Sequence, residues 1–212
     1  MDFPTHLKIG LLAGHWIEQT YGAAVLSPAF LWGCIEPDYE HLTGGLKEPK
    51  KRHTFQQNSE EVAQRIQALP AVEAFTSREL FQLGQIMHYL MDFHCYPHNA
   101  DNFDISIVRH VIYEKQMGMT SIFYFNALFS KACREIDPLS FACNDPASVM
   151  SYLHTRYLHE SGKFKKSRDQ MILDVAFAST CCTAIAAGYL ERCGYEPAVG
   201  SAPLLVPSYV FI

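Results

Sequence analysis

The chain has 212 residues, of which 49% are hydrophobic and 18% are charged, and its formal net charge is −5. This length fits one domain with a substantial core, and the composition excludes an intrinsically disordered chain. There is no strong nucleic-acid signal, since the basic clusters at 47–52 and 163–168 are local. No run approaches the roughly 20 apolar residues of a membrane span, and the N-terminus lacks a signal-peptide pattern, so we expect a cytoplasmic protein.

Helical periodicity runs through nearly all of the sequence, and no segment alternates as a strand would. Thr5 can cap a first helix that runs to about Val25, and Pro28 begins a short second helix. Residues 36–56 contain two prolines and a Gly-Gly pair. We interpret them as a long loop, and loops of that length tend to be functional.

The second part of the chain also follows a helical pattern, with a capping box at 76–79 that begins the most apolar of the middle helices. Further helices are predicted at 59–69, 103–117, 120–136, 146–159 and 169–192. The sequence therefore predicts an all-α, single-domain bundle of roughly seven to nine helices. Its parts are a motif-bearing region (1–120), C-terminal helices (120–194) and an extended tail (195–212).

A histidine and a carboxylate recur four residues apart in two of these helices. His88 precedes Asp92, and His110 precedes Glu114. Four residues turn an α-helix by about 40°, so each pair lies on one face, one turn apart. A proline ends the first of these helices just before His98, which can therefore reach either pair. Imidazole nitrogen and carboxylate oxygen are ligands that zinc takes, so the spacing predicts a metal site.

Chance spacing is the alternative, because a single pair at this interval is common in helical proteins. Two pairs and an intervening histidine within 27 residues favour the metal interpretation. Both carboxylates also have apolar neighbours, such as Met91 and Ile112, and buried carboxylates need a partner. His94 lies about 120° from His88 on the same helix, so we expect it to point elsewhere.

These residues resemble the zinc-dependent phospholipase C family, which shares its helical fold with the S1/P1 nucleases. The family carries H-x-x-x-D-x5-H followed by H-x-x-x-E. Five residues match this pattern: His88, Asp92, His98, His110 and Glu114. The family also has an upstream loop Asp followed by a His, matched by Asp38 and His53, and a His that opens the first helix, matched by His6. The resemblance covers about residues 1–120.

The resemblance implies two or three zinc ions. One would be held by Asp38, His53, His88 and Asp92, and a second by His98, His110 and Glu114. A third would be held by His6, Asp92 and the N-terminal amine of Met1, with His15 as the alternative to His6. Here His6 lies only five positions after the first residue, a shorter distance than in secreted members. The segment 99–102 also differs from the Gly-Gly-Asn of the nuclease branch, which favours the phospholipase branch.

The activity implied is that of a phosphoester hydrolase in which metal-activated water attacks a phosphodiester, either a phospholipid head group or a soluble compound. Asp38 is the candidate general base, and Glu36 is the weaker alternative. Two other functions are compatible with these residues. One is a single-strand nuclease on the same scaffold, and the other is a non-catalytic helical protein that binds metal.

The remaining reactive residue types have simpler interpretations. The seven cysteines form no C-x-x-C pair, and we expect them to be reduced and mostly buried. His41 and Asp101 are interpreted as loop residues. His154 and His159 lie among charged residues on a predicted helix, and we expect them at the surface.

Overall fold

The computed structural model describes residues 1–39, 53–99, 108–119, 145–161, 163 and 167–198. All regular secondary structure in these ranges is helical, which confirms the predicted all-α fold. The predicted helix at 120–136, the tail from 199 onward, and the loop residues His41 and Asp101 lie outside the described residues. The division of the chain into a single domain stays a prediction.

The helices are α1 (Phe3–Tyr21), α2 (Pro28–Gly33), α3 (Phe55–Ala68), α4 (Ser77–Phe93), α5 (108–119), α6 (Pro146–Glu160) and α7 (Ser167–Arg192). Two short 3₁₀ helices complete the described elements: Glu36–Asp38 follows α2, and Tyr96–Asn99 follows α4. Each contains a predicted metal ligand, Asp38 in the first and His98 in the second.

Helix α1 begins and ends differently from the sequence prediction. Its N-cap is Asp2, whose carboxylate accepts a hydrogen bond from the backbone N–H of Thr5 at 3.2 Å. It ends at Tyr21, before the predicted Val25, because Gly22 takes a left-handed conformation with φ of 67°. Glycine adopts this conformation at little cost and commonly terminates helices. The predicted capping box of α4 is confirmed, since Thr76 and Glu79 bond each other's backbone.

Helices α2 and α4 cross with their backbones in contact at two glycines. A Cβ at Gly84 would lie 2.2 Å from the carbonyl oxygen of Phe30, and a Cβ at Gly33 would lie 2.2 Å from that of Phe81. No side chain larger than hydrogen fits either position without moving a backbone. This close crossing brings the carbonyl oxygen of Cys34, just after α2, to 3.0 Å from Nδ1 of His88, which lies one turn after Gly84 on α4.

Replacing Gly84 by alanine is expected to destabilise the protein by about 1–3 kcal/mol, because the new methyl group must force the two backbones apart. Urea denaturation of the variant and the wild type measures the difference. Gln82→Ala, two residues earlier on α4 and only partly buried, is the matched control and should change the free energy of unfolding little. A Gly84→Ala protein of wild-type stability would contradict the close crossing.

Helix α7 is the central apolar helix of the C-terminal half. Among the described helices it alone is long and apolar enough to span a membrane, and 78% of its apolar window is buried inside the protein. A core helix of a globular protein meets the same criteria, so length and composition alone do not indicate a membrane span. Cys181 and Cys182 lie in this helix and are fully buried, as predicted, and neither forms a disulfide.

The prediction that His154 lies at the surface is wrong. Its side chain is 3% exposed, and its ring stacks on Phe55 with centroids 4.0 Å apart and planes within 6°. Met150, Leu153 and Tyr157 share the buried face of α6, so the ring follows the helical periodicity into the core. His159 is exposed, as predicted. His94 is also buried, with its ring next to that of His154, and its Nδ1 donates to the carbonyl oxygen of Leu90 on its own helix. It therefore points away from His88, as predicted.

His154 makes stability depend on pH. Burial lowers its pKa to about 4 from an ordinary value of 6.5. Between these values the unfolded chain binds a proton that the folded chain does not, so stability is lost as the pH falls from 6.5 to 4. The loss from this one residue is about 3 kcal/mol.

We therefore expect His154→Phe to lose about 3 kcal/mol less stability than the wild type between pH 7 and pH 4. Urea denaturation of both proteins at the two pH values, with a chelator present throughout, measures this. His159→Phe on the exposed side of the same helix should keep the wild-type pH dependence. The prediction would be wrong if the pH profiles of His154→Phe and the wild type were parallel.

Candidate metal centre

The structure brings all eight predicted side-chain ligands into one cluster. Helix α4 supplies two of them from its last two turns, α5 supplies two, and α1 supplies one. The others stand on the two 3₁₀ helices and directly before α3. The residues are His6, Asp38, His53, His88, Asp92, His98, His110 and Glu114.

Asp92 lies at the centre of this cluster and is fully buried. Its Oδ1 lies 3.1 Å from Nε2 of His6. Its Oδ2 lies 3.1 Å from Nδ1 of His53 and 3.3 Å from Nε2 of His88. The same oxygen is 3.5 Å from Nδ1 of His98. One carboxylate thus faces four imidazoles from four different chain segments.

The charge of Asp92 is strongly favoured in this position. Burial by itself would raise the pKa of the carboxyl group, but His98, the N-terminal amine and the other imidazoles outweigh burial and hold the pKa well below its ordinary value. In the part of the chain that the structure describes, no lysine or arginine pairs with Asp92. Its compensation therefore depends on the N-terminal amine and on histidines, which can either carry protons or ligate a cation.

Three of the imidazoles contact one another through their nitrogens. Nδ1 of His6 lies 2.8 Å from Nδ1 of His88, and Nε2 of His88 lies 3.0 Å from Nδ1 of His53. Burial, followed by the charge of His88, lowers the pKa of His6 well below its usual value. Zinc takes imidazole nitrogen as a ligand, and the nitrogens of these three buried rings converge, so this donor set fits a zinc ion.

A first group of possible ligands contains Asp38, His53, His88 and Asp92, whose donor atoms all lie within 4.8 Å of one another. Oδ1 of Asp38 is 3.7 Å from Nε2 of His88 and 3.9 Å from Nδ1 of His53. Asp38 is 39% exposed, whereas the other three are buried. The group therefore opens to solvent on the side of Asp38. Glu36, the alternative base, accepts a hydrogen bond from Gln85 at 2.8 Å.

A second group contains Cys95, His98 and Glu114, again with donor atoms within 4.8 Å. Oε1 of Glu114 lies 3.0 Å from Nε2 of His98 and 3.0 Å from Nε2 of His110. Burial acts to raise the pKa of Glu114, but the amine of Met1 and the two histidines outweigh burial and lower it. The predicted second set is therefore brought together, with a cysteine beside it that the sequence reasoning did not include.

Cys95 is fully buried, and burial raises the pKa of its thiol well above the usual value. Without a metal ion it is a neutral thiol. The only sequence signal was its place three residues before His98, where the chain leaves α4. No C-x-x-C spacing marks it, so its proximity to Glu114 follows from the turn geometry that the structure supplies.

The N-terminal amine reaches the region between the two groups. It donates to Oδ1 of Asp92 and lies 3.2 Å from both Nε2 of His98 and Oε1 of Glu114. Burial alone would lower the pKa of the amine, but the charge of Asp92 outweighs burial and raises it. His6, Asp92 and the amine of Met1 are thus close together, as the predicted third site requires. His15, the alternative to His6, makes no contact with this cluster among the described residues.

The chain also matches a known protein family. The family model described as zinc dependent phospholipase C matches residues 5–195, which includes every predicted side-chain ligand and the C-terminal helices that carried no recognisable motif. No curated protein matches the chain. No solved structure matches it either. On the extent of the family match, the chain belongs to the zinc-dependent phospholipase C family.

Proposed function

We propose that the protein is a zinc-dependent phosphodiester hydrolase of the phospholipase C type. The observation that carries the proposal is the convergence of histidines and carboxylates from separate segments on the buried carboxylate of Asp92. The family match supports zinc as the ion and a phosphoester as the substrate. We infer two or three ions, held by the ligand sets described above.

The residues of the first group divide into holding and reacting roles. His53, His88 and Asp92 are buried and fixed by contacts with one another, so they would hold an ion. When bound, zinc neutralises the charge of a phosphate and lowers the pKa of water towards about 7. Asp38 is the exposed member of the group, and its carboxylate can accept the proton of the water that attacks phosphorus.

The second group adjoins the first at Asp92, because Nδ1 of His98 lies 3.5 Å from the same Oδ2 that His53 and His88 contact. Its residues His98 and Glu114 and the neighbouring His110 are partly exposed, with 12%, 19% and 30% of their side chains accessible. An ion held there would be open to a ligand from solvent. A phosphodiester that contacts both groups would have its negative charge neutralised on two sides, which favours phosphate over an uncharged ester.

Metal analysis and a pair of substrates test the proposal. We expect at least two zinc ions per chain in the purified protein, and zinc-dependent hydrolysis of a chromogenic choline phosphodiester. Single-stranded DNA is the competing substrate, and its faster hydrolysis would favour the nuclease activity of the related fold. One ion or none, with no hydrolysis of either substrate after zinc addition, would contradict the proposal.

A further inference from the structure

A second buried carboxylate, outside the metal centre, receives four hydrogen bonds. Asp174 on α7 is fully buried. Its Oδ1 accepts from Oη of Tyr157 at 2.9 Å and from Nε2 of Gln170 at 2.8 Å. Its Oδ2 accepts from the backbone N–H of Tyr96 at 2.9 Å and from Oη of Tyr113 at 2.8 Å. Both oxygens are therefore close to their full capacity as acceptors.

The two donors to Oδ2 belong to the segments that carry the second ligand group. Tyr96 begins the 3₁₀ helix that contains His98, and Tyr113 directly precedes Glu114 on α5. The rings of the two tyrosines also lie 5.9 Å apart. A single oxygen atom on α7 thus ties together two segments that are distant in sequence and that both supply a possible ligand.

The donors to Oδ1 of Asp174 do not belong to segments that supply metal ligands. Tyr157 stands on α6 and Gln170 on α7, and neither helix supplies a predicted ligand. Gln170 donates a further hydrogen bond to Ser161 at 3.1 Å. The Oδ1 side therefore joins the two C-terminal helices to each other, whereas the Oδ2 side joins them to the metal centre.

We propose that Asp174 is a positioning residue that holds His98 and Glu114 at the separation a shared metal ion needs. The inference rests on the proposed function, because it presumes that the second group binds zinc. Metal–ligand distances tolerate deviations of only about 0.2 Å. Helix α5 presents exposed apolar residues on its outer side, such as Val108 and Ile112. The charge-assisted bond from Tyr113 on its inner side to the buried carboxylate of Asp174 is therefore well suited to fix its position.

Two tyrosines provide a matched pair of variants. Tyr113→Phe and Tyr157→Phe each remove one hydroxyl group that donates to Asp174, and the two bonds have nearly equal length. Tyr157 is fully buried, so its variant should lose at least as much stability as Tyr113→Phe. Only Tyr113 stands on a helix that carries ligands. A purely structural role for Asp174 would give both variants the same metal affinity.

The test is a chelator competition on the zinc-loaded full-length protein, which yields the affinity of each ion. We expect one ion to bind about 10- to 100-fold more weakly in Tyr113→Phe, the usual loss when a group that orients a ligand is removed. Tyr157→Phe should keep the affinity of every ion within about twofold of the wild type, which is small beside the 10- to 100-fold loss expected for Tyr113→Phe. Asp174→Asn, which replaces one acceptor oxygen by an N–H donor, should weaken the same ion as Tyr113→Phe.

The His110→Ala variant identifies which ion is affected. We expect His110→Ala to release the ion of the second group, so the double variant Tyr113→Phe/His110→Ala should hold the same number of zinc ions as His110→Ala alone. Unchanged affinities in Tyr113→Phe, equal losses in both tyrosine variants, or a loss confined to the ion of the first group would each overturn the inference. A wild-type protein that binds no zinc would instead overturn the proposed function, and this inference with it.

Discussion

Replacing Asp92 by asparagine is expected to remove at least one zinc ion per chain and most of the hydrolytic activity. We expect kcat/KM to fall more than about 100-fold, the upper end of the loss caused by residues that only orient a ligand. Asp92 contacts ligands of both groups and the amine as well. The activity lost in Asp92→Asn should therefore exceed the activity lost when a residue that binds a single ion is replaced.

The reason lies in the two oxygens of the carboxylate. Asparagine keeps the shape of the side chain but has no negative charge, and one of its terminal atoms is an N–H donor. Whichever way the amide turns, that donor replaces an oxygen that faces either His6 and the amine or the imidazoles of His53 and His88. A donor cannot ligate a cation, so at least one ion loses a ligand and its charge compensation.

Asp145→Asn is the matched control for this change. Asp145 is exposed and caps α6 by accepting a bond from the backbone N–H of Ser148 at 3.0 Å. Asparagine caps helices about as well as aspartate, so this variant should keep its zinc and its activity. Elemental analysis and the choline phosphodiester assay are applied to both variants. Full zinc occupancy in Asp92→Asn would contradict the central position of this carboxylate in the metal centre.

The pairing of His88 with Asp92 could be predicted because it depends only on helical geometry. Side chains four residues apart share a helix face wherever the helix lies. Periodicity alone also separated His94 from that face, and the structure places its ring in a different cluster. The approach of His6 and His53 depends on how α1 and the segment before α3 pack. Only the resemblance to a family could supply that long-range information.

His154 shows how the same periodicity can be overlooked. The sequence interpretation weighed its charged neighbours along the chain, but neighbours in sequence point away from each other on a helix. Its partners on the wheel, Met150 and Tyr157, are buried residues and predicted an inward position. The contribution of Cys95 could not be foreseen in this way, because no periodic rule applies where the chain leaves a helix and turns.

Replacing Asp38 by asparagine is expected to lower kcat by about 10²- to 10⁴-fold, the usual contribution of a general base. The zinc content should remain at the wild-type level when zinc is in excess, since His53, His88 and Asp92 stay in place around the first ion. Asp38 differs from these three residues in being 39% exposed. It can therefore contact both an ion and a solvent-derived nucleophile.

Glu36→Gln is the control, because Glu36 stands on the same 3₁₀ helix and was the alternative base. Its carboxylate accepts a hydrogen bond from Gln85 on α4, and this bond joins the 3₁₀ helix to α4. Glutamine can still accept that bond, so kcat should stay close to that of the wild type. Steady-state kinetics and metal analysis of both variants separate the roles. Equal losses of kcat in the two variants, or a loss of zinc in Asp38→Asn that accounts for its lost activity, would contradict Asp38 as the base. A selective loss of kcat with the ions retained would assign proton removal to the one carboxylate of the first group that faces solvent.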